Sequence, residues 1–194
     1  KSDSCELPRP LNFMHPEGLE VLPEIILQSK IQKLILVGHS DGASIALIYA
    51  GMNSDESLLG IVTEAPHVFC EQLTTRSIEK VRKLYLSGNL RERLLKHHGA
   101  NVDQAFHGWA DVWLHPHFSA WNIESCLPKI LVPQLIVQGN DDEYGTSAQV
   151  DAIVRQTGSS VETCILDDCG HSPHRDQEIQ TLETMARFVR KLLV

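Results

Sequence analysis

At 194 residues, 42% hydrophobic and 22% charged, the chain has the makeup of an ordinary globular protein, long enough for one domain or one domain with a modest insertion. Its 17 Lys and Arg against 25 Asp and Glu give a formal charge of -8 with no basic run, which argues against nucleic acid and anionic membrane as partners. Apolar stretches such as 34–37 and 45–50 fall far short of a membrane span, and no signal-peptide pattern is read at the start.

The N-terminal segment KSDSCELPRPLNF is polar and broken by proline; Pro16 then opens an expected helix through Gln28, kinked at Pro23. Four short runs are nearly continuously apolar: 33–37 (KLILV), 60–64 (GIVTE), 133–138 (PQLIVQ) and 161–166 (VETCIL). Such runs suit strands buried on both faces of a parallel sheet. Helices are expected at 42–51, at 146–156 behind a Thr146/Gln149 capping box, and at the C-terminus. There Ile179, Leu182, Met185, Phe188, Val189 and Leu192 recur at helical spacing as an apolar stripe. Strand alternating with helix predicts an α/β architecture.

About 65 residues without a strand signal separate the second and third runs, far more than an ordinary α/β connection. We read 68–126 as a small helical cap inserted into a core formed by 1–67 and 127–194. Asn89 with Glu92, and Asn101 with Gln104, are expected to cap two of its helices, the first ending at Gly99. His97, His98, His107, His115 and His117 are dense there but lack zinc-ligand spacing, so no metal is expected. Phe106, Trp109, Trp113 and Trp121 read first as packing; the sharper alternative puts Trp113, with Phe118, in a substrate pocket. Cys5, Cys70, Cys126, Cys164 and Cys169 are odd in number, with no C-x-x-C pair. That favours free thiols and a cytoplasmic protein.

Gly38-His39-Ser40-Asp41-Gly42 matches G-x-S-x-G between a strand and a helix, the context a nucleophile elbow requires. Both flanking glycines are expected to be demanded by the strained turn; the bland alternative is a Ser-Gly turn. The Asp41 N–H, at the helix start, is placed to face a developing oxyanion. A serine nucleophile needs a histidine base and an acid to orient it. Both follow in the order Ser, acid, His: Gly139-Asn140-Asp141-Asp142-Glu143 after the third run, and Asp167-Asp168-Cys169-Gly170-His171-Ser172-Pro173-His174 after the fourth. His39 reads as packing or an inner hydrogen-bond partner, and His67, just past the second run, as a residue able to face the site.

With its elbow, QGNDDEYG and DCGHSPH, residues 15–194 resemble the small-capped Ser-Asp-His hydrolases of the α/β-hydrolase superfamily. The resemblance implies an α/β-hydrolase fold, Ser40 as nucleophile, Asp142 as acid with Asp141 the alternative, and His171 as catalytic base. His174 is then an outer residue or a helix start. It implies no cofactor, and a small-molecule substrate: a carboxylic ester, or a carbon–carbon bond beside a ketone. Because Ser stands in the elbow, the chemistry of relatives with an Asp nucleophile is set aside. The family fold also carries strands ahead of the elbow and a second oxyanion N–H, which are not read here. The expectation is therefore an N-terminally truncated member of low activity, whose edge strand at 33–37 invites pairing into a homo-oligomer. Its rival is a non-catalytic fragment or binding module that keeps the triad alone.

Overall fold

The computed structural model describes residues 6–193. Cys5 and the segment Lys1-Ser2-Asp3 lie outside them. By internal contacts the chain forms two compact units, one of residues 14–69 and 122–193, the other of residues 6–13 and 70–121.

The first unit is built on a wholly parallel sheet of β1 (Leu34–His39), β2 (Leu58–Glu64), β3 (Gln134–Gly139) and β4 (Val161–Leu166), in that spatial order. The runs read as strands are strands, with ends shifted by one or two residues. β3 is buried along its whole length, whereas β1 and β4 lie at the edges and turn Val37 and Ile165 outward. Val62, Leu135, Val137 and Leu166 meet Cys169 and Phe188 in a core that Met185 and Leu192 extend. On the opposite strand parity, Ile61 and Ile136 are fully buried, so the inner strands are covered on both sides, as their sequence requires.

The helix Asp41–Met52 is almost entirely buried, from Ala43 to Gly51. Its small residues allow close approach: a Cβ on Gly51 would meet the Cys126 carbonyl oxygen at 2.4 Å. Ahead of the sheet, the expected helix begins at Met14 and not at Pro16, and it runs past Pro23 with helical backbone angles at Val21 and Leu22. A π-turn at Glu17–Val21 precedes the helix Leu22–Ser29, placing Pro23 in a first turn, where its missing N–H costs nothing.

The sequence pattern places Met185, Phe188 and Leu192 of the C-terminal stripe correctly and misplaces its first two residues. In the helix Glu178–Leu192 the buried line is Thr181, Thr184 and Phe188, while Ile179 and Leu182 are exposed. The Thr181 hydroxyl donates to the Pro173 carbonyl at 3.0 Å, so a threonine takes an inward position that apolar periodicity would not assign it. Thr146 does cap the helix Ser147–Gln156, its hydroxyl accepting from Ala148 N–H at 3.2 Å. Gln149 also reaches the segment after β2, accepting from Val68 N–H at 2.8 Å and donating to the Phe69 carbonyl at 3.1 Å.

The second unit holds the helices Gln72–Ser87, Leu90–His98 and Val102–Trp113 and a 3-10 turn at Pro116–Ala120. Neither Asn89 nor Asn101 caps its helix through a side chain; their backbones lie in the bridge region, at φ -95° and ψ 7° and at φ -85° and ψ 5°, and not in the extended conformation of a usual cap residue. Tyr85 stacks on Phe106 at 3.6 Å and donates its hydroxyl to Asp103, which also takes the Arg91 Nε at 2.8 Å. Among the described residues, no group of three or more His, Cys, Asp or Glu side chains is placed to hold a metal, and no helix is long and apolar enough to cross a membrane.

Candidate active site

Parallel strands deliver their C-terminal ends to one edge of the sheet, and the loops that leave them converge there. Register pairs His39 with Glu64 and Gly139 with Leu166. The backbone pairing continues past the strand ends: Ser40 N–H donates to the Glu64 carbonyl at 2.9 Å and Asn140 N–H to the Leu166 carbonyl at 2.8 Å.

Ser40 adopts φ 55° and ψ -121°, outside the ordinary range of a non-glycine residue. The strained turn is held by the bond to β2 on one side and by the helix on the other, where Ala43 N–H and Ser44 N–H donate to the Ser40 carbonyl. Gly38 is sterically obligatory, since a Cβ there would lie 2.3 Å from the Gly42 carbonyl oxygen. The expectation that Gly42 is equally demanded is corrected: a Cβ at Gly42 meets nothing within 4 Å. Its place in the first helical turn needs no special backbone.

Ser40, Asp142 and His171 come together. His171 Nε2 is 2.9 Å from Ser40 Oγ, and Nδ1 is 2.9 and 3.0 Å from the two oxygens of Asp142. Asp142 is buried and saturated with donors: Oδ1 accepts from Tyr144 N–H at 2.8 Å and Gly145 N–H at 3.2 Å, and Oδ2 from Gln138 Nε2 at 2.7 Å. Burial alone would raise its pKa; hydrogen bonding and charge from His171, with the Tyr144 amide and Gln138, outweigh that and hold the carboxyl below its ordinary value. Asp141 points elsewhere: it is exposed, and its N–H donates to the Cys169 carbonyl at 2.9 Å. The acid and histidine loops touch directly, and a Cβ on Gly139 would lie 2.2 Å from the Gly170 carbonyl oxygen.

Asp41 begins the helix directly after Ser40. His67 is buried with its ring centroid 5.6 Å from that of His171, and its carbonyl accepts from Ser44 Oγ at 2.6 Å. Trp113 and Phe118 belong to the helical unit. They are buried there edge to face at 4.8 Å, and both rings also meet Trp121.

Several residues around His171 escaped the sequence reading. Glu143 Oε2 accepts from His171 N–H at 3.2 Å, and the Tyr144 ring stands 4.6 Å from the imidazole. Glu64, buried at the end of β2, accepts from both the N–H and Nδ1 of His174, at 3.1 and 2.9 Å. The only signal for Glu64 and Gln138 is a polar residue closing an apolar run, which usually marks where a strand meets solvent.

A serine on a strained strand-to-helix turn, with an acid and a histidine from later strand ends of one parallel sheet, defines the α/β-hydrolase architecture. The alpha/beta hydrolase family profile matches residues 7–184, and the chain belongs to that family. Among solved structures it is similar to VinJ at 20% identity and TM-score 0.64, covering 94% of this chain and 73% of that one. An esterase from Exiguobacterium antarcticum is similar at 20% identity and TM-score 0.68, covering 93% of this chain and 74% of that one. A thermophilic esterase from Thermogutta terrifontis is similar at 16% identity and TM-score 0.65, covering 92% and 72%. At these identities the likeness establishes the fold. No curated protein matches the chain by sequence.

Proposed function

We propose that the protein is a serine hydrolase that cleaves small carboxylic esters through a covalent acyl-enzyme. The observation that carries this reading is the continuous chain from Ser40 Oγ to His171 Nε2 and from His171 Nδ1 to a buried, donor-saturated Asp142. A serine hydroxyl is a weak nucleophile; it gains reactivity when a neutral imidazole accepts its proton during attack. Asp142 takes the Nδ1 proton in a hydrogen bond, which leaves the Nε2 lone pair facing Ser40 and steadies the imidazolium that forms.

Ser40 Oγ attacks the ester carbonyl as its proton passes to His171 Nε2. His171 then returns that proton to the leaving alkoxide as the carbon–oxygen bond breaks, giving the acyl-Ser40 ester. Water attacks this ester with His171 again as base, and the acid and free Ser40 are released. In this reading the Asp41 N–H is one donor to the oxyanion, since it leads the helix that follows the nucleophile. His67, beside His171, lines the substrate side of the site. Two of the similar structures are described as esterases, which favours an ester over other acyl substrates.

The test is labelling by a fluorophosphonate probe, read by intact mass on the parent and on Ser40→Ala. A single adduct on the parent and none on the variant is the expected result. No adduct on a demonstrably folded parent overturns the reading and leaves a binding module that keeps the triad geometry without its reactivity.

A further inference from the structure

Beyond the acid, His171 is held at two further points that a triad does not require. We propose that His39 and Glu143 are positioning residues that clamp the His171 main chain, and that the pair of buried Glu64 and half-exposed His174 anchors the same loop to the sheet. This inference rests on the triad reading, because positioning matters only if His171 moves protons.

The clamp closes on both main-chain polar groups of one residue, which belong to the two peptide units that flank its α-carbon. His39 Nε2 donates to the His171 carbonyl at 2.6 Å, and His171 N–H donates to Glu143 Oε2 at 3.2 Å. With Nδ1 on Asp142, three separate atoms of His171 are fixed by three residues. His39 is the last residue of β1 and directly precedes Ser40, so its ring ties the histidine loop to the strand end that carries the nucleophile. The carbonyl bond requires Nε2 to carry a proton, as it does in both the Nε2–H tautomer and the imidazolium. Burial pushes the His39 pKa down despite the neighbouring His171 carbonyl, which favours the neutral form.

Three residues on, His174 continues the attachment. Its N–H and Nδ1 both reach Glu64 Oε2, on the strand next to β1, and its ring lies edge-on to His39 at 5.1 Å. A carboxylate buried at a strand end is costly unless donors surround it. Here the donors come from the very loop that carries His171. The Gly170 N–H on the other flank bonds to Asp176 Oδ2 at 2.9 Å, so the loop is fastened on either side of the catalytic position. The distance Nε2 must keep from Ser40 Oγ is short, and a displacement of about 1 Å is enough to cost on the order of 100-fold in rate.

The experiment compares fluorophosphonate labelling rates and ester kinetics of the parent with His39→Met, His39→Gln and Glu143→Ala, each checked for folding by thermal melt. Met fills the space of the imidazole without an N–H, whereas Gln places an amide N–H near the position of Nε2. Expected are a fall of about 10- to 100-fold in kcat and labelling rate for His39→Met with KM little changed, recovery of most of the rate in His39→Gln, and a smaller fall for Glu143→Ala. A folded His39→Met that labels as fast as the parent overturns the inference. Equal losses in Met and Gln also overturn it, since the donor would then be irrelevant. Should His39→Met fail to fold, Glu143→Ala decides alone, and an unchanged rate refutes the clamp. Failure of the parent itself to label is distinguishable from all of these, because it overturns the triad reading first.

Discussion

The two compact units bury different chemistry. The helical unit buries rings: Trp113, Phe118 and Trp121 fill its interior, and its main polar network of Tyr85, Asp103 and Arg91 involves half-exposed charges. The sheet unit buries Glu64, Gln138, Asp142 and Gln149: Glu64 takes donors from the histidine loop, Gln138 donates to Asp142 just beyond its own strand, and Gln149 reaches the segment after β2. Buried carboxylates and amides are expensive ways to fill space, and apolar side chains of similar size would give comparable stability. The two buried carboxylates, Glu64 and Asp142, both stand at the C-terminal edge of the sheet against histidines of one loop, a placement that favours chemistry, whereas the aromatic rings of the helical unit pack on one another.

The largest effects that sharpen this contrast lie in the triad. Ser40→Ala should remove ester hydrolysis by on the order of 10⁴- to 10⁶-fold while leaving the thermal melt nearly unchanged, measured on a p-nitrophenyl ester. A variant retaining a tenth of parental activity would break the assignment. Asp142→Asn should lower kcat by about 10⁴-fold, because an amide that donates to Nδ1 selects the wrong tautomer of His171. It should also change the acid limb of stability. The folded-state pKa of Asp142 is depressed, so its contribution is present above the unfolded carboxylate value of about 4 and is lost as pH falls through the folded one. The stability gap between parent and Asp142→Asn should accordingly close on acidification, as read from denaturant melts across that range.

The convergence of Ser40, Asp142 and His171 was legible because each sits in local grammar: a strand end, small residues at a turn, and a carboxylate or histidine at a fixed step beyond. Asp142 was separable from Asp141 only by resemblance, and the hydrogen bonds to Gln138 and Tyr144 supply the physical reason. His39 was legible as packing or an inner hydrogen-bond partner, but its partner, the His171 carbonyl, was not, because 132 residues separate the two. The reach of Gln149 to Val68 and Phe69 was hidden for a related cause: about 80 residues separate the partners, and only a helix-cap role is written locally. The outward turn of Ile179 and Leu182 shows that a stripe of hydrophobic letters marks a helix more reliably than it marks the buried face.

In the helical unit the expected consequence of truncation is structural. Trp113→Ala should cost about 3–5 kcal/mol in denaturant unfolding, the range for removing a buried ring, with the acyl-chain preference of the surviving folded enzyme unchanged. A shift in that preference without loss of stability would move Trp113 into the substrate-binding set and weaken the contrast between the units. Phe118→Ala, in the same ring cluster, checks whether such a shift is particular to one side chain.

The smallest effects test the elbow itself. Gly38→Ala forces a methyl to within 2.3 Å of the Gly42 carbonyl oxygen and 2.7 Å of the Ala43 nitrogen, both backbone atoms that cannot turn aside. The turn must deform or the strand must shift, and a loss of about 3 kcal/mol is expected, toward the upper end of overpacking. Gly42→Ala introduces the same methyl four residues later, into open space and within a helix. Alanine is the better helix former by up to about 1 kcal/mol in a helix interior, so near the helix start the change should be neutral or slightly stabilising. Comparable losses at both positions would mean that the elbow needs two small residues for a reason other than steric contact; a loss at Gly38 alone assigns the constraint to the strand side of the turn.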